Sequence, residues 1–211
     1  MKGDGEWQEC CVPDLSDLPR KAALRAALIT HRRSLPAASL ESASALVLAE
    51  LVSLVRREGP RCVAGYVPIG AEPGGPGLPE ALAGALAPGA RLLLPVLRPD
   101  LDLEWGAYHG PSSLTPGARG LREPSGRRLG EEAVATAELI VVPAVAVDRR
   151  GVRLGRGGGS YDRALARVAE DVLTVALLHD GELIDAVPDE PHDRRVRAVI
   201  TPSGGLVMLP A

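Results

Sequence analysis

The chain has 211 residues, with 24 Lys plus Arg against 27 Asp plus Glu, a formal net charge of -3 and 45% hydrophobic residues. That length suits one ordinary domain, and the acidic balance argues against broad electrostatic capture of nucleic acid, so any positive site has to be local. The apolar content excludes a wholly disordered chain, and the sequence has no uninterrupted apolar run near the roughly 18 residues of a bilayer span.

Phe is absent, and three Tyr with two Trp are all the aromatic residues there are. The core must therefore come from Leu, Val and Ala. Arg outnumbers Lys 22 to 2, a skew of composition that leaves most of the Arg as surface charge. Cys10, Cys11 and Cys62 have no CxxC spacing, so neither a disulfide framework nor a zinc site is expected. Residues 1–15 read as a polar N-terminal tail without signal-peptide character, and residues 16–211 as a single α/β domain in the cytoplasm.

From Ser16 the chain reads as an amphipathic helix, with Ser16 and Asp17 as capping candidates and Leu24, Ala27, Leu28 and His31 in helical spacing. Lys21 and Arg25 lie one turn apart on it. A second helix is predicted over residues 37–58, stopped by Gly59. Short Val- and Leu-rich segments at 62–67, 91–97, 103–108, 139–142, 173–178 and 196–200 read as strands, several of them apolar on both faces. Helical stretches at 78–86, 131–137 and 161–169 alternate with them, the order expected of βαβ units around a mostly parallel sheet. Ligands bind such sheets beyond the carboxyl ends of the strands, which directs attention to the loops YVPIGAEPGGPG and VDRRGVRLGRGGGSYD.

In the second loop, Gly155, Gly157, Gly158 and Gly159 are interleaved with Arg153 and Arg156 ahead of a helical stretch. Glycines admit close backbone N–H approach to an anion, and guanidinium forks suit phosphate oxygens. A phosphate cradle and a plain strand-to-helix turn are both consistent with that pattern. It is neither a Walker A loop nor a dinucleotide fingerprint. Asp148 and Asp162 flank the loop as metal candidates or helix caps, and Lys21 and Arg25 could add charge or form a solvated face. His192–Asp193 reads as a loop cap or half of an acid/base pair, and Glu72 as a ligand-binding or solvated loop residue.

The run PAVAVDRRGVRLGRGGGSYDR, with Lys21-x-x-x-Arg25, Glu72, GLREP, PHD and VITPSG around it in order, resembles the 5-formyltetrahydrofolate cyclo-ligase (methenyltetrahydrofolate synthetase) family from about residue 20 to 203. The resemblance implies a three-layer α/β sandwich with N-terminal helices and conversion of 5-formyltetrahydrofolate to 5,10-methenyltetrahydrofolate, with ATP as co-substrate and Mg²⁺ as cofactor. By motif position, it implies that Lys21, Arg25, Arg153, Leu154, Gly155, Arg156, Gly157, Gly158, Gly159, Ser160 and Tyr161 hold ATP. Val67, Glu72 and residues Arg156 to Ser160 would contact folate, Arg156 being catalytic, and Asp162 and Asp193 would hold Mg²⁺. Ser160, Val147 and Arg119 stand where aromatics are usual in the family, so Trp105 or Tyr161 would have to supply the stacking, and Arg197 replaces an acidic residue. The expected partners are small molecules, with no nucleic acid, no membrane and a monomeric chain. A non-catalytic nucleotide- or folate-binding relative is the second reading, and an Arg-Gly RNA-binding element the third.

Overall fold

The structure is a computed structural model and describes residues 21–190 and 193–210. The tail at 1–15, the capping candidates Ser16 and Asp17, and His192 lie outside the described residues. In chain order the elements are α1 (Lys21–Ser34), α2 (Ala37–Glu58), β1 (Cys62–Ala64), α3 (Leu78–Ala85), β2 (Arg91–Leu97), β3 (Leu103–Ala107), β4 (Leu114–Pro116) and β5 (Arg122–Pro124). There follow β6 (Leu139–Pro143), β7 (Ala146–Asp148), β8 (Arg153–Leu154), α4 (Ser160–Leu165), β9 (Leu173–Leu177), β10 (Leu183–Ile184), β11 (Ala198–Thr201) and β12 (Gly205–Met208).

α2 keeps the bounds expected from the sequence. Gly59 follows it in the left-handed region (φ 60°, ψ 40°) and donates its N–H to Val55 O, which satisfies one of the carbonyls left open at a helix end. By length and hydropathy α2 could cross a membrane. Glu41 and Glu50 interrupt it, however, and its Val47, Leu51, Leu54 and Val55 are buried against the sheet, as expected for the inner face of a core helix.

The main sheet has seven strands in the order β12-β11-β9-β6-β1-β2-β3. The five inner strands pair in parallel, and β3 and β12 close the edges antiparallel. Alternate residues point to opposite faces, and both faces are apolar. Val63, Leu92, Leu94, Leu139, Val141, Val175 and Leu177 join α2 and α3 in one cluster. Ala64, Leu93, Ile140, Val142, Ala176 and Val199 join Trp105, Val134 and Ala164 of α4 in the other. The result is the three-layer α/β arrangement with N-terminal helices that the sequence led us to expect. All six predicted strands lie in this sheet.

Three local expectations are corrected. β1 is shorter than the predicted 62–67: it ends at Ala64, with one further ladder bond from Gly65 N to Leu93 O. Residues 131–136 form a 3₁₀ segment. α4 stops at Leu165, since Arg167 and Val168 bond back only three residues, to Ala164 O and Leu165 O, and the last turn tightens.

Two small sheets complete the fold, β10-β7-β8 and the hairpin β4-β5. α1 packs on the first of these. Its Leu24 and Leu28 meet Val145, Ala146, Val152, Leu154 and Val187 in a third, smaller cluster. Arg32, one turn further on, is also buried. It forms a two-pronged pair with buried Glu182 (Nε to Oε1 2.6 Å, Nη2 to Oε2 2.7 Å) and donates to Ala144 O at 2.7 Å. This Arg belongs to the tertiary structure, not to the surface charge the composition suggested.

Candidate active site

A cavity of about 490 Å³ opens beyond the carboxyl ends of β1, β2 and β6, the place where strand ends and their loops converge in such sheets. It gathers Lys21, Arg25, Val67, Glu72, Arg153, Gly155, Arg156, Gly157, Gly158, Gly159, Ser160, Tyr161, Asp162 and Asp193, residues that span most of the chain. Among the sequence candidates, Leu154 is not brought in. It is fully buried in the α1 cluster, because the two-residue strand β8 turns alternate side chains to opposite sides.

The glycine loop owes its shape to backbone that other residues resist. Gly157 has φ 96° and Gly159 φ 66°, and a Cβ on Gly157 would stand 3.3 Å from the Arg25 guanidinium. Arg25 Nε in turn donates to Gly155 O at 2.7 Å, so α1 and the loop hold each other. α4 has six residues, too short for its dipole to contribute much, so the positive character comes from side chains.

Each cavity carboxylate named from the sequence faces a cation. Glu72 is buried, its Oε1 accepting from Arg156 Nε at 2.8 Å and its Oε2 from Ile69 N at 2.8 Å. Asp162 Oδ1 accepts from Arg153 Nη2 at 2.8 Å and from Arg194 N at 3.3 Å. Asp193 Oδ2 accepts from Lys21 Nζ at 2.5 Å and from Glu190 N at 2.9 Å. Asp162 is therefore an ion-pair partner, not a helix cap.

Arg153 is almost fully buried, with its guanidinium 5.9 Å from the Tyr161 ring centroid. Its Nε and the Tyr161 hydroxyl are buried without a hydrogen-bond partner among the described residues. Such orphaned groups are costly unless a ligand or water meets them. Burial first, and then the Glu72 charge, push the Tyr161 phenol far above its usual range, with Arg153 opposing. The hydroxyl thus stays a neutral donor at any ordinary pH.

Asp148 lies outside this cavity. Its carboxylate is fully buried and accepts from the N–H groups of Arg150, Val152 and Val187, so it ties the turn after β7 and is neither a metal ligand nor a cap. Trp105 is also elsewhere, buried in the second core cluster with Val147. Trp105 therefore cannot compensate for lost stacking, and the Val147 departure is a matter of core packing. Tyr161, Ser160 and Arg119 do line the cavity.

Sequence reasoning missed Tyr66, Pro95, Leu97, Leu103, Leu121, Arg122 and the 143–145 wall. Leu97 ends the predicted strand 91–97, Pro95 lies two residues before that end and Pro143 follows the predicted strand 139–142, so the carboxyl-end rule applied to every strand would have found them.

Among the described residues no cluster of three or more His, Cys, Asp or Glu could cage a metal. Two carboxylates in one cavity still fit a cation that completes its shell with water and phosphate oxygens, as Mg²⁺ does.

The sequence pattern of the 5-formyltetrahydrofolate cyclo-ligase family matches residues 17–202. A 5-formyltetrahydrofolate cyclo-ligase of Mycolicibacterium smegmatis is 45% identical over 194 residues, covering 90% of this chain and 97% of that protein. The NMR structure of Aquifex aeolicus 5,10-methenyltetrahydrofolate synthetase superposes with a TM-score of 0.74 at 30% identity, covering 90% of this chain and 93% of that one. A 5,10-methenyltetrahydrofolate synthetase from Mycoplasma pneumoniae shares the fold, with a TM-score of 0.66 at 18% identity. With the glycine loop, its basic helix partner and the anchored glutamate gathered in one cavity, and a match that runs nearly end to end, this chain belongs to the 5-formyltetrahydrofolate cyclo-ligase family.

Proposed function

We propose that the chain is an enzyme that converts 5-formyltetrahydrofolate to 5,10-methenyltetrahydrofolate, using ATP and releasing ADP and phosphate. The observation that carries this reading is the cavity itself. It joins a glycine loop flanked by Lys21, Arg25, Arg153 and Arg156 to a wall with a buried, oriented carboxylate, Glu72.

The chemistry asks for such a combination. A formamide oxygen is a poor leaving group, so it first attacks the γ-phosphorus of ATP. A P–O bond to the formyl oxygen forms as the bond to ADP breaks. N10 then attacks the activated formyl carbon, loses its proton, and closes the ring as phosphate departs. No protein nucleophile is needed; the protein supplies position and charge neutralisation.

On this reading Lys21, Arg25, Arg153 and residues Gly155 to Tyr161 surround the nucleotide, and Leu154 packs beneath them. Val67 and Glu72 contact the folate, Glu72 accepting from pterin N–H groups. Arg156, exposed over half its side chain and paired with Glu72, stands between the two substrates and would stabilise the transferring phosphoryl group. Asp162 and Asp193 would hold Mg²⁺, which when bound offsets phosphate charge. The proposed setting is the cytoplasm, with the chain acting as a monomer on small molecules.

Purified protein given ATP, Mg²⁺ and 5-formyltetrahydrofolate should develop the absorbance of the methenyl product. Arg156→Ala and Asp162→Ala should each lower kcat by roughly 100-fold or more, the scale of losing one charge-stabilising group, while circular dichroism stays native. Absence of any absorbance change in wild type would reject the activity.

A further inference from the structure

We infer that Arg119 and Arg122 form a carboxylate-binding subsite that takes the glutamate tail of a folate; the inference rests on the folate reading above. Both line the cavity, but from an element that contributes nothing to the glycine loop, the hairpin β4-β5.

The hairpin is a fixed frame. Gly117 N bonds to Leu121 O at 2.8 Å and Leu121 N to Ala118 O at 3.0 Å, which closes its tip around Arg119. Arg119 sits in the left-handed region (φ 56°, ψ 27°), a conformation that non-glycine residues hold only where the surroundings impose it. Buried Glu123 in β5 accepts the N–H of Leu97 at 3.0 Å and so pins the hairpin to the end of β2. The hairpin therefore sets the Arg119 backbone at the cavity rim, with its side chain exposed there.

These two cations also differ from most of the site in their partners, since Arg25 is committed to Gly155 O and the others to carboxylates. Lys21, Arg153 and Arg156 are each paired with a carboxylate. Among the described residues neither Arg119 nor Arg122 has an ion pair. Arg122 commits one nitrogen to long contacts with Leu114 O (3.3 Å) and Pro111 O (3.5 Å). Two planar guanidinium forks without a carboxylate of their own suit an anionic, carboxylate-bearing ligand group.

Folate chemistry supplies that group at the right end. A folate carries a pterin, a p-aminobenzoyl spacer and a glutamate with two carboxylates. With its pterin at Glu72, the apolar side chains of Leu97, Leu103 and Leu121 offer the spacer a surface, and Leu121 lies between the two Arg in sequence. The tail then reaches the hairpin.

The test is calorimetric binding, without turnover, of 5-formyltetrahydrofolate, of its pteroate counterpart lacking glutamate, and of ATP. Wild type should bind the glutamate-bearing compound about tenfold more tightly or better, the scale of a charge-assisted pair, and the preference should weaken as salt rises. In Arg119→Gly with Arg122→Gln, the ratio of the two dissociation constants should fall toward one, while ATP affinity holds. Glycine suits the left-handed backbone at 119, and the wild-type comparison needs no substitution at all. Equal binding of the two compounds by wild type, a ratio preserved in the double variant, or a loss of ATP affinity instead would each overturn the subsite alone. Failure to bind either compound would overturn the folate reading together with it.

Discussion

Single side chains in this cavity act in opposite-charge pairs. Glu72 with Arg156, Asp162 with Arg153 and Asp193 with Lys21 each hold a carboxylate in a fixed orientation at the cavity wall. Ser160 is the position most open to improvement, because it lines the cavity at a place where the family usually has an aromatic ring. Ser160→Tyr should lower the dissociation constant for the folate by offering a stacking face, and unchanged or weaker binding in titration would show that stacking was not what the site lacked. Asp148 carries structural weight of another kind. Burial alone would raise its carboxyl, but the Val187 N–H, the Arg150 guanidinium and the N–H groups of Val152 and Arg150 outweigh that and hold it below the usual carboxylate range. Asp148→Ala leaves buried donors without an acceptor and should cost roughly 3 kcal/mol, measurable as a lower urea midpoint. A depressed carboxyl stabilises the fold above its unfolded pKa of about 4 and ceases to do so as pH falls through the folded value. The wild-type advantage over the variant should therefore be full at pH 7 and shrink toward pH 3.

At the scale of elements, α1 is attached differently from α2. α2 buries Val47, Leu51, Leu54 and Val55 in the main core, whereas α1 relies on Leu24, Leu28 and the Arg32–Glu182 pair. Burial disfavours the Arg32 charge, and the hydrogen bond and charge of Glu182 more than restore it. Arg32→Met alone leaves a buried anion unpaired and should cost about 3–5 kcal/mol, while Arg32→Met with Glu182→Leu should recover most of that loss, a non-additivity that denaturant melts of the three proteins would expose. The same comparison explains what could be read in advance. α2 is long enough for its period of 3.6 to declare itself, and the six predicted strands fall in Val- and Leu-rich segments bounded by Gly, Pro or Asp. β4, β5, β7, β8 and β10 have two or three residues each, too few for any period, and β12 returns antiparallel from the turn at 201–205 with no apolar alternation of its own. Arg32 was hidden in another way: in a chain with 22 Arg, nothing local distinguishes the one that becomes buried.

For the whole molecule, the missing Phe is met by volume from Leu, Val and Ala on both faces of the sheet, with Trp105 as the one fully buried large aromatic among the described residues. The glycine loop and its flanking charges were legible because they are contiguous. The apolar wall of Pro95, Leu97, Leu103 and Leu121 was not, because it is assembled by sheet closure from segments that say nothing alone. The placement of α1 has a further consequence. Lys21 and Arg25 are carried by a helix whose cluster is the smallest of the three, so it belongs to the part of the molecule that opens at low free energy. Occupancy of the cavity should then act as a clasp. Amide hydrogens of residues 24–34 should exchange several-fold more slowly with ATP bound, while those of β6 and β9 keep their rates. On that account the nucleotide is a late structural component of the fold, completing the seating of the segment that grips it.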